Sequence, residues 1–193
     1  MKKIKLFTLS ILIFINSTTL IADDFNDWKI KFKKRAINEG VSKSTVDSLI
    51  DNTKFLSDVI KYDRYQPEFY EDTKTYISKR TSSKKVKLGK IILNKESNII
   101  NKVSSEYKVD KNLLLALMGI ETNFGNYLGK MDIVSSLATL SYDQRRSEFF
   151  TKELITLLKL VDSNVIDPST LFGSWAGAFG IFNLCHRQLK TMQ

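Results

Sequence analysis

Apolar residues return every three or four positions along most of this chain, and its 193 residues include only two prolines and eight glycines. That spacing places apolar side chains on one face of a helix, and the scarcity of breakers lets helices run, so the expected class is mainly α. A first helix is expected over Phe25 to Gly40, closed by Gly40 at the position after the cap, where a left-handed backbone suits glycine. Ser42 is a good N-cap for a short helix reaching Ile50. The string YDRYQPEFY (Tyr62 to Tyr70) should be extended or turned around Pro67, because a proline biases the preceding residue, Gln66, away from helix. Helices are expected from about Phe69 to Arg80 and, as one long element, from about Ser83 to Tyr107. Val86, Ile91, Leu93, Ile99, Ile100 and Val103 would give that long element its core face. Asp110 should cap the next helix and Gly125 help to end it, with further helices over Ile133 to Leu140 and Ser147 to Val161. Asp167 and Pro168 open a turn. No internal repeat or low-complexity linker interrupts the pattern.

The helix after Asp110 carries the feature with most chemical content. In LLLALMGIETNFG (Leu113 to Gly125), Leu114, Leu117 and Glu121 follow the spacing of one face, flanked by Leu113, Met118 and Ile120. A carboxyl group buried there would resist ionisation and could give and recover a proton near neutral pH. Spacing alone favours the plainer alternative, a glutamate at a helix end turned toward water.

The N-terminus reads as an export signal. Lys2, Lys3 and Lys5 precede an apolar run, Leu6 to Ile15, that is short for a membrane span. Cleavage is expected after Ala22, and no cysteine follows the run to take a lipid, so the expected product is a periplasmic protein without a stable membrane anchor. Loss of three lysines and no acid would lower the net charge from +9 to +6. A basic surface suits an anionic polymer, whereas export argues against nucleic acid, for which no zinc, RNA-recognition or basic-zipper signature is present. Runs such as Lys84, Lys85 and Lys87 read as a solvated helix face. One cysteine and one histidine cannot form an intramolecular disulfide or supply the ligands of a typical zinc site, so no metal or cofactor is expected.

The string ETNFGNYLGKMDIVSSLATLSYDQRRSEFFTKEL (Glu121 to Leu154), with GSWAGAFGIF (Gly173 to Phe182) and YDRYQPEFY upstream, resembles the lytic murein transglycosylase B family, which cleaves the glycan strands of bacterial peptidoglycan. The resemblance implies a lysozyme-like helical domain acting on peptidoglycan, and a monomer is expected. Periodicity by itself also fits an ordinary bundle with no cleft. By resemblance Glu121 matches the family's catalytic acid, which protonates the glycosidic oxygen leaving N-acetylmuramic acid. It then removes the proton of that sugar's 6-hydroxyl as a 1,6-anhydro ring closes. The substrate's acetamido group would stabilise the cationic intermediate, so the second carboxylate of an ordinary glycosidase is not demanded. Asp132, Asp143, Glu148 and Glu153 are accordingly read as surface or structural charges. Ser174 matches a serine beside the acid, and Arg145 and Arg146 match a basic pair of the substrate groove. Gly173, Gly177 and Gly180 would let backbone pass close to sugar, and Phe124 is either a sugar-facing ring or core.

The resemblance stops at Phe182. Where family members continue with a string like QFMPST, this chain reads NLCHRQLKTMQ, which holds Cys185 and His186. One choice of codons for Asn183 to Gln193, shifted by a single nucleotide, encodes QFMPSTIKNYA. The expectation is therefore a signal peptide over 1–22, a catalytic domain over 23–182 that is incomplete at its C-terminus, and an out-of-frame tail over 183–193. Such a chain is an inactive or weakly active transglycosylase, or a non-catalytic peptidoglycan-binding or scaffold fragment.

Overall fold

The computed structural model describes residues 24–66 and 69–180. The expected export signal, the turn at Pro67 and the tail with Cys185 and His186 lie outside the described residues. Helix dominates: α1 covers residues 24–38, followed by α2 (Lys43–Ile50), α3 (Ser57–Arg64), α4 (Thr73–Arg80), α5 (Ser83–Lys95), α6 (Ser97–Tyr107) and α7 (Lys111–Thr122). A two-residue strand β1 (Met131–Asp132) precedes α8 (Ile133–Tyr142) and α9 (Ser147–Asp162). A 3-10 turn (Pro168–Thr170) then leads into β2 (Phe172–Gly173). The chain divides into two compact units, one of Met1–Ser57 with Val134–Pro168 and one of Asp58–Ile133 with Ser169–Gln193.

The first unit is built on a dense apolar core. Phe25, Trp28, Phe55 and Tyr142 pack with ring centroids 5.3–6.4 Å apart, and Leu137, Leu154, Leu157 and Leu158 are completely buried. Helix α1 ends as its sequence implied: Gly40 has φ +94°, its N–H donates to Ile37 O at 3.0 Å, and the N–H of Val41 donates to Ala36 O at 3.1 Å. Ser42 then caps α2, its hydroxyl accepting from the N–H of Thr45 at 3.3 Å. The same corner is tied to the far end of α9, where the Asp162 carboxylate accepts from the Ser42 N–H at 3.1 Å and the Thr45 hydroxyl at 2.6 Å. Those hydrogen bonds, led by that of the Ser42 hydroxyl, hold the Asp162 carboxyl below its ordinary range. Every residue of α8 from Ile133 to Ser141 is buried. Two of its buried hydroxyls are put to use, Ser135 and Thr139 accepting from the Lys54 and Leu56 N–H groups at 3.1 and 3.0 Å, while those of Ser136 and Ser141 find no hydrogen-bond partner among the described residues.

The second unit has a sparser core, with Val59, Ile100, Leu115, Ile133 and Leu171 buried and no buried residue in α4 or α5. Several expectations need correction here. Tyr62, Asp63 and Arg64 belong to the last turn of α3 and not to an extended segment, and Asp63 is buried beside the Arg64 guanidinium at 2.8 Å. Helix α4 begins only at Thr73, because Asp72 caps it by accepting from the N–H of Thr75 at 3.0 Å. The single helix expected over Ser83 to Tyr107 is two, broken at Glu96 in a run of Asn94, Glu96, Ser97 and Asn98 that contains weak helix formers. Of its expected core residues only Ile100 is buried. Val86, Ile91 and Ile99 are exposed.

Helices α5 and α7 meet around a ring rather than around branched aliphatics. A Cβ placed on Gly119 would lie 2.8 Å from Phe124 Cζ, and one on Gly89 would lie 3.0 Å from the same atom. Gly119→Ala is expected to lower stability by about 1–3 kcal/mol through overpacking of the ring, measured by denaturant unfolding.

In the first unit Arg35 donates to both Glu148 oxygens at 2.8 Å, and that pairing holds the Glu148 carboxyl down at about 2. The unfolded chain should titrate it near about 4.3. The pairing therefore stabilises the fold above that pH and is lost as pH falls through about 2. Thermal unfolding of Glu148→Gln beside the unaltered chain should show a deficit at neutral pH that disappears across this acid window.

Candidate active site

Glu121 owes its position to the two ends of α7. At the first, the Asp110 carboxylate accepts from the N–H groups of Asn112 and Leu113 at 2.8 and 3.0 Å, fixing where the helix begins. At the second, the backbone turns left-handed for three residues in succession, Asn123 (φ +50°), Phe124 (φ +58°) and Gly125 (φ +80°). Gly125 was expected to help end this helix, but Asn123 is the first residue out of it. Asparagine and glycine tolerate that region, whereas a phenylalanine there is an outlier that costs about 1–3 kcal/mol. The corner is held by its own hydrogen bonds. Phe124 N–H donates to Met118 O at 2.9 Å, Gly125 N–H to the Thr122 hydroxyl at 3.0 Å, and Tyr127 N–H to Thr122 O at 2.8 Å. Thr122, 2 % exposed, is the hinge of this network, and the sequence offered only its place beside Glu121 as a signal.

The buried stripe of α7 is Leu115, Gly119 and Thr122, not the Leu114, Leu117, Glu121 stripe. Glu121 is exposed, and Leu113, Leu117 and Ile120 are 43–54 % exposed. The water-facing alternative is therefore the one realised, and the burial that would desolvate the acid is absent. Phe124 takes the packing role of its two alternatives, with its ring against Gly89 and Gly119.

Ser174 lies in the same compact unit, reached through the short ladder that pairs Met131 with Gly173 and Asp132 with Phe172. Its hydroxyl accepts from the Ala178 N–H at 3.0 Å, while its own N–H donates to Ala178 O at 2.8 Å. The hydroxyl proton remains available for a further acceptor. Gly173 answers to backbone crowding inside the protein: a Cβ there would lie 2.4 Å from Ala178 O. Gly129, which no local pattern singles out, is tighter still, its hypothetical Cβ 2.1 Å from Gly173 O at a φ of +83°. Open space surrounds the corresponding position at Gly180.

Arg145 and Arg146 belong to the other unit, at the start of α9. Arg145 is exposed, and its N–H donates to the Asp143 carboxylate at 3.3 Å. The Arg146 guanidinium sits 4.8 Å from the Phe150 ring centre. Glu153, one of the acids read as surface or structural, is 2 % exposed and so structural. Among the described residues no group of acids, histidines and cysteines is arranged to hold a metal ion.

A hollow of about 270 Å³ opens between α5 and α7, floored by Val86, Leu93, Leu115, Gly119 and Phe124. It lies on the face of α7 turned away from Glu121, and neither Glu121 nor Ser174 lines it. The acid and the cavity are thus two separate features of one unit.

Residues 24–185 match the model of the transglycosylase SLT domain. Over 106 residues the chain is 35 % identical to membrane-bound lytic murein transglycosylase B of Escherichia coli K12, which covers 54 % of this chain and 29 % of that protein. Its fold superposes on SltB3 of Pseudomonas aeruginosa, solved in complex with NAG-NAM-pentapeptide, with a TM-score of 0.80 and 30 % identity over 86 % of this chain and 45 % of that one. The E. coli lytic transglycosylase Slt35, solved with bulgecin A, matches with a TM-score of 0.75 and 28 % identity over 85 % of this chain and 53 % of its own. The chain thus spans 29 % of the curated relative and about half of these solved structures. The fold is the mainly helical, lysozyme-like one that the sequence resemblance implied, and the chain belongs to the transglycosylase SLT domain family.

Proposed function

We propose that this protein is a lytic transglycosylase of the bacterial periplasm, exported by residues 1–22 and acting on peptidoglycan between N-acetylmuramic acid and N-acetylglucosamine. The observation that carries the reading is the match of residues 24–185 to the transglycosylase domain, with Glu121 exposed at the end of a helix whose final corner is hydrogen-bonded. The relative SltB3 was solved with a glycan-peptide fragment, which supports a glycan strand as the substrate here. Among the described residues no helix is long and apolar enough to cross a membrane.

In this reading Glu121 gives its proton to the glycosidic oxygen as the bond to C1 of N-acetylmuramic acid breaks. The acetamido oxygen of that sugar stabilises the cationic carbon. The resulting Glu121 carboxylate then takes the proton of the 6-hydroxyl, whose oxygen bonds to C1 and closes the anhydro ring, so the glutamate ends protonated and no water is consumed. The Ser174 hydroxyl, already accepting from Ala178, donates to the carboxylate or to the acetamido oxygen. Arg145 and Arg146 contribute guanidinium groups suited to stem-peptide carboxylates.

Glu121→Gln keeps the size and polarity of the side chain but cannot give and recover a proton. In the protein with its reading frame restored after Phe182, release of 1,6-anhydro muropeptides from sacculi, followed by mass spectrometry, should fall about a hundredfold to ten-thousandfold while the variant still sediments with the sacculi. Undiminished anhydro product would remove Glu121 from the reaction. Retention on sacculi without release by the unaltered chain would leave a wall-binding role in place of the enzymatic one.

A further inference from the structure

A helix needs only one left-handed residue to end, and glycine supplies it without strain. Helix α7 has its glycine at position 125, yet Asn123 and Phe124 have already turned left-handed before it is reached. The phenylalanine is held there against its preference by what surrounds it. Its N–H donates to Met118 O at 2.9 Å, and its ring fills the room left by Gly119 and Gly89. The corner is more closely specified than the mere ending of a helix requires.

One residue reaches across it in both directions. The Thr122 hydroxyl accepts from the Gly125 N–H at 3.0 Å and donates, at 3.4 Å, to Met118 O one turn back along the helix. The carbonyl of the same residue accepts from the Tyr127 N–H at 2.8 Å. Because Thr122 is buried, water competes little for these bonds. Glu121 is its immediate neighbour and is exposed. The two share a peptide unit, so a shift of the Thr122 backbone carries Glu121 with it.

We propose that Thr122 is a positioning residue for Glu121, its buried hydroxyl fixing the angle at which α7 gives way to the corner and with it the place of the exposed carboxyl. The inference rests on the enzymatic reading of Glu121. It gives Thr122 no contact with substrate and no proton to transfer. A donor that must meet a bridging oxygen within hydrogen-bond reach loses about a hundredfold in rate for a misplacement of about 1 Å. Loss of the hydroxyl should therefore appear in turnover and not in binding.

The test compares Thr122→Val, Thr122→Ala and Thr122→Ser, beside Glu121→Gln, in the protein with its reading frame restored after Phe182, following 1,6-anhydro product from soluble peptidoglycan strands per folded molecule. Valine keeps the shape of the side chain but sets a methyl group against the Gly125 N–H. Alanine removes the hydroxyl without that clash, and serine keeps it. The valine and alanine variants should lose about tenfold to a hundredfold in kcat with KM within about twofold, whereas the serine variant should stay within about threefold of the unaltered protein. In the 193-residue chain itself, amide hydrogen exchange at Gly125 should quicken in the valine and alanine variants and not in the serine variant. Full turnover by valine and alanine beside a silent Glu121→Gln would overturn the positioning role and leave the enzymatic reading standing. So would a loss confined to the folded fraction with kcat per folded molecule unchanged, or a change in KM alone, since a stabilising role would then account for the hydroxyl. Unchanged exchange at Gly125 would show that the hydroxyl does not hold the corner, and would overturn the proposal without any measurement of activity. Undiminished turnover by Glu121→Gln, or no anhydro product from the unaltered protein, would overturn the enzymatic reading and this inference with it.

Discussion

Three successive left-handed residues at the end of α7 are the constraint from which the rest of the second unit follows. A helix that continued past Thr122 would carry Phe124 around the cylinder. The corner instead folds its ring back onto Gly119 and across to Gly89. That contact explains why a glycine sits within the last turns of α7, where it costs about 1 kcal/mol relative to alanine. It also sets the length of α7, because Thr122 must end the helix with its hydroxyl and carbonyl free to receive Gly125 and Tyr127. Glu121 is the residue immediately before this bonded corner.

The two units reach order by different means. The first relies on aliphatic and aromatic burial, with two hydroxyls from α8, buried from Ile133 to Ser141, satisfying the loop at Lys54 and Leu56. The second has few buried side chains among the described residues, and beside the Phe124 ring its connections include backbone contacts so close that only glycine fits, at Gly129 against Gly173 and at Gly173 against Ala178. Such contacts tolerate almost no enlargement, yet they bury little apolar area. A surface left over from so thin a core keeps its aliphatics near water, as Val86 and Ile91 do on α5.

Capping chemistry was the most legible part of the chain. Gly40, Ser42 and Asp110 act where their residue types place them, because a cap depends on neighbours within a few positions. Periodicity was less informative where two faces of a helix are both apolar. In α7, Leu113, Leu114, Leu115, Leu117, Met118 and Ile120 admit more than one stripe, and the stripe actually buried was decided by Phe124 arriving from outside the helix. The break at Glu96 was similarly hidden, since apolar residues on both sides of it keep the same spacing. Gly129 could not be singled out at all. Its need for a missing side chain arises from Gly173, far along the chain, and no local pattern records that meeting.

The exposure of Glu121 bears on how a transglycosylase of this design would be assembled. An acid that must reach the bridging oxygen of a polymer cannot be sealed in the core, because a strand as long as a glycan has to pass over it. Water around the carboxyl must then be displaced by the sugars themselves, and what the fold contributes is a backbone that does not yield when they bind. The strain accepted at Phe124 makes sense in those terms. A corner built from ordinary helical residues could fray by a turn, as helix ends do, and would carry Glu121 with it. One tied by hydrogen bonds to Met118 O and to the Thr122 carbonyl and hydroxyl has to break them before it frays. The cost falls on folding stability, while in the proposed reaction the position of Glu121 would be preserved.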